Sequence, residues 1–148
     1  MFWGAFGMNG TTELAEVPTR MNSEGYQEIL EETLLPSAQR ISKRGWIFQQ
    51  DNASIHASNS TAAFFEKKRM RVLDWPAKSP DLNPMENLWG MVARNFYVHG
   101  RQYPNKETLI KALTAAWNAI PCEIIHNLIR SMKTRIYNTI LKKGFFTK

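Results

Sequence analysis

Cysteine is almost missing from these 148 residues: Cys122 stands alone, so no internal disulfide can staple the fold. A single thiol also fits a reducing compartment, and Cys122 itself reads as a small buried helix residue. Membrane-length apolar runs are missing too. No stretch approaches the roughly 18 apolar residues that a spanning helix needs, so no membrane partner is expected. The opening M-F-W-G-A-F-G-M is apolar but short and has no basic flank, and it reads as a strand rather than a leader. Acids are missing at the far end: from residue 130 to residue 148 there are six bases and none of the opposite sign. There are no repeats, low-complexity tracts or internal linkers, and the length predicts one domain over residues 1–148.

Apolar residues make up 43% of the chain, enough for a core, with seven Met and five Trp as bulky filling. The net charge of +6 is unevenly spread. Residues 1–36 hold six acids and one base, whereas residues 37–148 hold seven acids and eighteen bases. A basic surface raises the local concentration of a polyanion such as DNA, although basic soluble proteins are common.

Residues 75–89 organise the rest: W-P-A-K-S-P-D-L-N-P-M-E-N-L-W. Asn83 followed by Pro84 predicts a helix start. Asn is a favoured N-cap, and Pro suits the first helical position because its missing N–H would be unbonded there anyway. Met85, Leu88, Trp89, Val92 and Phe96 then recur at helical spacing. Glu86 falls on the first turn, where it is either the reciprocal partner of a capping box or a carboxylate displayed at the rim of the apolar stripe. A second acid bears on that choice. Asp51 follows the apolar residues Trp46, Ile47 and Phe48, at the carboxyl end of a predicted strand, where α/β sheets place ligand chemistry. Thirty-four residues separate Asp51 from Glu86.

The remaining pattern predicts a hairpin from residues 1–7 and 11–17 around an Asn-Gly turn. A helix capped near Asn22 follows, with Tyr26, Ile29, Leu30 and Leu34 inward, and Pro36 ends or kinks it. Strands are expected at residues 46–50 and 70–73. Between them a short helix capped by Ser58 or Asn59 has Ala62, Ala63 and Phe65 inward and ends in Lys67, Lys68 and Arg69. A helix over residues 106–120 and another from Pro121 complete the chain. The last has Ile125, Leu128, Ile129, Met132, Ile136 and Ile140 apolar, with Gly144 as its C-cap. His56, in the loop after Asp51, either meets a loop carbonyl or serves the site, by orienting Asp51 or by contacting a phosphate.

These motifs resemble the catalytic core of mariner-type transposases, in the Tc/mariner superfamily of DDE enzymes. The resemblance rests on Gln49, Gln50, Asp51, Asn52 and Ala53 with His56, on Trp75, Pro76 and S-P-D-L-N-P at residues 79–84, and on Glu86, Asn87, Leu88 and Trp89. It extends to W-G-A-F at residues 3–6 and to Ala116, Trp117, Ile120, Pro121, Ser131, Met132 and Arg135.

The resemblance implies an α/β fold: a ribonuclease-H-like mixed sheet in strand order 3-2-1-4-5 with flanking helices, followed by C-terminal helices. The hairpin would supply strands 2 and 3, and residues 46–50 and 70–73 strands 4 and 5. The family's first, central strand with its first Asp, and its N-terminal helix-turn-helix, would precede the W-G-A-F segment, so a partial catalytic domain is expected. Such a piece would come from a truncated element or from a gene model that starts at an internal Met.

The resemblance further implies that Asp51 and Glu86 are catalytic and each holds one of two Mg²⁺ or Mn²⁺ ions, with Asn52, His56 and Asn83 as supporting or DNA-contacting residues. The implied reaction is metal-dependent cut-and-paste DNA cleavage and strand transfer on transposon ends and target DNA in the nucleus, by a homodimer or a dimer with intact transposase. With the bridging first Asp missing, the chain alone is expected to be inactive. The competing expectations are a non-catalytic DNA-binding or dimerising remnant and a generic metal nuclease.

Overall fold

The computed structural model describes residues 1–76, 79–100 and 102–142. The chain forms two compact units, Met1–Ser79 and Pro80–Lys148.

The first unit begins with the expected hairpin, in two pieces. Strands β1 (Phe2–Trp3) and β4 (Ala15–Glu16) pair antiparallel, as do β2 (Phe6–Gly7) and β3 (Gly10–Thr11). The register Phe2 to Glu16 and Phe6 to Thr11 leaves one extra residue on the returning arm, which is a bulge. Thr12 repairs the ladder there. Its N–H donates to the Ala5 carbonyl at 2.8 Å and its Oγ1 accepts the Ala5 N–H at 2.9 Å, with the residue fully buried. The hairpin tip rests on the end of a helix: Asn9 N–H donates to the Ile41 carbonyl at 2.9 Å. Gly7 makes that approach possible, because a Cβ at this position would run into the Ile41 carbonyl oxygen.

Asn22 caps helix α1 (Ser23–Ile29) by accepting the Gly25 N–H at 3.0 Å. Pro36 does not end the helical run. The chain passes through a π-helical turn, Leu30–Leu34, into α2 (Leu35–Ile41). In that turn the Leu35 N–H reaches back five residues to the Leu30 carbonyl. The widened turn admits a ring that would clash with the preceding carbonyl in a regular helix. Helix α3 (Asn59–Lys67) has Ser58 as its cap, accepting the Thr61 N–H. Its inward residues are Thr61, Phe64 and Phe65, whereas Ala62 and Ala63 face solvent. The two phenylalanines bury far more apolar area than two alanines, so they set the rotation of the helix. The core joins Tyr26, Leu30, Leu34, Phe48, Phe64 and Phe65. Lys68 pairs with Glu31 and sits 5.7 Å from the Phe64 ring centroid, so it belongs to the folded surface of this unit.

The two later strands contract to one parallel bridge among the described residues. Phe48 faces Val72, donating its N–H to the Arg71 carbonyl at 2.8 Å and accepting the Leu73 N–H at 2.7 Å. The mixed sheet expected here, without its first, central strand, is present as short pieces. No ladder among the described residues joins the hairpin to residues 46–50, and a segment bonded along one side holds few ladder bonds.

The second unit is helical. A 3₁₀ turn (Pro80–Leu82) leads into α4 (Pro84–Phe96), followed by a second 3₁₀ turn (Val98–Gly100), α5 (Lys106–Asn118) and α6 (Cys122–Leu141). Leu88 and Trp117 are fully buried, and Trp89 stacks on Trp117 with centroids 5.1 Å apart. Ile125 and Leu128 are buried on α6, but Ile136 and Ile140 are exposed. The apolar stripe of α6 thus outruns the surface it packs on within this unit. Cys122, at the first position of α6, is exposed rather than buried. Gly144 lies outside the described residues.

Replacing Gly7 by Ala is expected to lower stability by about 1–3 kcal/mol, because backbone has to move away from the new methyl group. Thr12→Val removes the acceptor for the Ala5 N–H and is expected to cost about 1–3 kcal/mol, with Thr12→Ser close to wild type. Urea unfolding of the four proteins checks both expectations.

Candidate active site

Each of the two carboxylates singled out in the sequence belongs to one unit, and each is displayed by a different device. Asp51 lies three residues beyond the Phe48 bridge, in an irregular loop, with its side chain 58% exposed. Its Oδ1 accepts the Ala53 N–H at 3.1 Å and meets His56 Nδ1 at 2.5 Å. Among the described residues its Oδ2 takes no hydrogen bond. The His56 ring thus meets the Asp51 carboxylate rather than a loop carbonyl.

His56 is held in turn. Its ring packs against Tyr26 with centroids 4.1 Å apart, and its carbonyl accepts from Gln50 Nε2 at 3.1 Å. The Tyr26 hydroxyl donates to Gln50 Oε1 at 2.7 Å. Burial pushes the Tyr26 phenol well above the usual tyrosine range, and the Asp51 charge acts in the same direction. The phenol is therefore held in its neutral, donating form. Asn52 turns away from Asp51: its Nδ2 donates to the Trp75 carbonyl at 2.6 Å, which ties the Asp51 loop to the W-P segment. The sequence marked Tyr26 only as a core position. Its polar role could be suspected from a buried hydroxyl needing a partner, but which partner it meets is a tertiary matter.

In the second unit Asn83 is the cap of α4, with Oδ1 accepting the Met85 N–H at 3.1 Å, and Pro84 is buried at the helix start. The capping box does not close. The Asn83 N–H donates to the Pro80 carbonyl at 2.9 Å, and among the described residues the exposed Glu86 carboxylate has neither a hydrogen bond nor an ion pair. Glu86 instead borders a cleft of about 520 Å³ shared with Pro80, Asp81, Asn87 and the α6 residues Ser131, Thr134, Arg135 and Asn138. Arg135 was noted in the sequence only as part of the resemblance. Here its guanidinium donates to the Asp81 carbonyl and to Asn87 Oδ1, both at 2.7 Å.

The donor chemistry suits a hard divalent cation. Asp51 and Glu86 both offer carboxylate oxygens that no protein group occupies among the described residues. No group of three or more His, Cys, Asp or Glu side chains converges among the described residues.

Tyr26→Phe is expected to cost about 0.5–1.5 kcal/mol at neutral pH by removing the hydroxyl that holds Gln50. The two proteins should converge in alkali. The folded phenol keeps its proton while the unfolded one loses it above about pH 10. The stabilising term is thus complete below that pH and falls by up to about 1.4 kcal/mol per unit above it. Denaturant midpoints between pH 7 and 11 test this.

The chain is similar to known proteins over nearly its whole length. It is 43% identical over 144 residues to the transposable element Tc3 transposase of Caenorhabditis elegans, covering 97% of this chain and 44% of that protein. It is 36% identical over 148 residues to the transposable element Tcb1 transposase of Caenorhabditis briggsae, covering all of this chain and 54% of the relative. The chain thus spans about half the length of the curated relatives it matches. Among solved structures it superimposes on the Mos1 transposase paired-end complex with left transposon end, with a TM-score of 0.82 at 24% identity over 98% of this chain and 44% of that one. It also matches the catalytic domain of Mos1 mariner transposase, with a TM-score of 0.72 at 20% identity over all of this chain and 82% of that domain. These likenesses establish the fold, and the family's model, described as DDE superfamily endonuclease, matches residues 2–110, so the chain belongs to the DDE superfamily of endonucleases, on its Tc1/mariner branch.

Proposed function

We propose that this chain carries the second and third carboxylates of a Tc1/mariner-type transposase site, Asp51 and Glu86, which cleave DNA at transposon ends and join the freed end to target DNA. The observation that carries this reading is the freedom of both groups. Each stands in the expected motif, and each keeps carboxylate oxygen unengaged by protein among the described residues, although a capping box was open to Glu86.

Asp51 and Glu86 would hold Mg²⁺ or Mn²⁺, which supplies activation of the attacking oxygen and charge stabilisation of the leaving one. The chain's own groups do the rest. His56 and the Ala53 N–H engage Oδ1 of Asp51 and so aim Oδ2 outward. Asn52 keeps the loop against the Trp75 carbonyl, and Asn83 starts the helix that displays Glu86. Positioning of this kind dominates such reactions, because in-line displacement tolerates little error in the distance between reacting atoms. Arg130 and Lys133, exposed on α6, are the phosphate contacts of this reading. A nuclear site of action and a dimeric assembly belong to the same proposal.

The 148-residue chain by itself is expected to cleave at background. Asp51 and Glu86 alone would offset less positive charge than a pair of divalent ions would bring. Purified chain with Mg²⁺ or Mn²⁺ and DNA bearing candidate transposon ends is the test. Cleavage that Asp51→Ala abolishes would show that another acid completes the site.

DNA binding by the same chain is expected to be weak, roughly 10⁻⁴ to 10⁻⁶ M at physiological salt, and to fall steeply as salt rises. Fluorescence anisotropy against unrelated duplexes reads this directly. Salt-insensitive binding, or a strong preference for one duplex, would contradict it.

A further inference from the structure

Glu86 has no side-chain partner among the described residues, so its direction is set by the backbone of the first turn of α4. Asn83 caps that turn, and Leu82 and Leu88 bury its apolar side. Arg135 reaches the same turn from α6. Its Nη1 donates to the Asp81 carbonyl at 2.7 Å, two residues before the cap, and its Nη2 to Asn87 Oδ1 at 2.7 Å, one residue after Glu86. Its Nε donates to Ser131 Oγ at 2.9 Å, and the Ser131 hydroxyl donates to the Leu128 carbonyl at 2.6 Å. The guanidinium is therefore fixed from its own helix and grips residues on both sides of Glu86.

We propose that Arg135 is the positioning residue for Glu86. One planar fork ties the 3₁₀ turn before the cap to Asn87 of α4 and so fixes where the Glu86 carboxylate between them points into the cleft they share. The geometry demands arginine. A lysine keeps the charge, but a single ammonium does not reproduce three directed N–H bonds in one plane. The proposal rests on the reading of Glu86 as a metal ligand and adds the residue that sets that ligand's direction.

The experiment compares the 148-residue chain with Glu86→Gln, Arg135→Lys and Arg135→Gln, by Mn²⁺ titration followed by electron paramagnetic resonance and by amide hydrogen exchange. Glu86→Gln is expected to lose Mn²⁺ binding without changing exchange on α6. Both Arg135 variants are expected to weaken Mn²⁺ binding by roughly tenfold to a hundredfold, the usual effect of removing a group that orients a ligand. They should also speed exchange at residues 85–88 while leaving α5 unchanged. Lysine should rescue neither readout. Wild-type exchange at residues 85–88 in Arg135→Gln, or full rescue by lysine, would overturn the proposal. If the wild type and Glu86→Gln bound Mn²⁺ alike, the metal reading of Glu86 would fail, and exchange would judge the hold of Arg135 on the turn separately.

Discussion

The hydrogen bond from Tyr26 to Gln50 couples the core of the first unit to the loop that carries Asp51. Pairing around Phe48 amounts to one parallel bridge among the described residues, so ladder bonds alone would leave the next residues loosely directed. Side chains take over that task. Tyr26 is fixed by burial among Leu30, Leu34 and Phe65, and its hydroxyl fixes Gln50. Gln50 holds the His56 carbonyl, and the His56 ring, packed on Tyr26, meets Asp51. A phenol at the inner end of this chain of contacts is well chosen. It supplies apolar area to the core and one directed polar bond at the edge of it.

Glu86 is displayed by another means. Asp51 has one oxygen engaged and one free, whereas among the described residues both oxygens of Glu86 are without protein partners. Its direction comes from the helix it starts, and that helix is pinned by a cap, by a proline and by a guanidinium from α6. Each carboxylate thus keeps at least one oxygen without a protein donor among the described residues.

The hairpin, the caps at Asn22, Ser58 and Asn83, and the helical start at Pro84 were legible from residue chemistry, because each depends on neighbours a few positions away. Failures occurred where distant packing decides. Ala62 and Ala63 were expected inward beside Phe65, but Phe64 takes their place in the core. Pro36 does not end its helical run, because a π-helical turn accommodates it. Ile136 and Ile140 continue an apolar period that finds no covering surface in the second unit.

The sequence by itself determined the family, the two motif carboxylates and the helix that bears Glu86. Those rest on residue type and spacing along the chain, which are properties of order alone. Only the tertiary structure decided that His56 meets Asp51, that Asn52 turns instead to Trp75, that the capping box stays open, and that Arg135 spans the turn around Glu86. Apart from the Asp51 loop itself, these contacts join residues 23 to 54 positions apart. A hydrogen-bond donor with several acceptors in reach of its type is assigned by the packing that removes the others, and no local pattern carries that information.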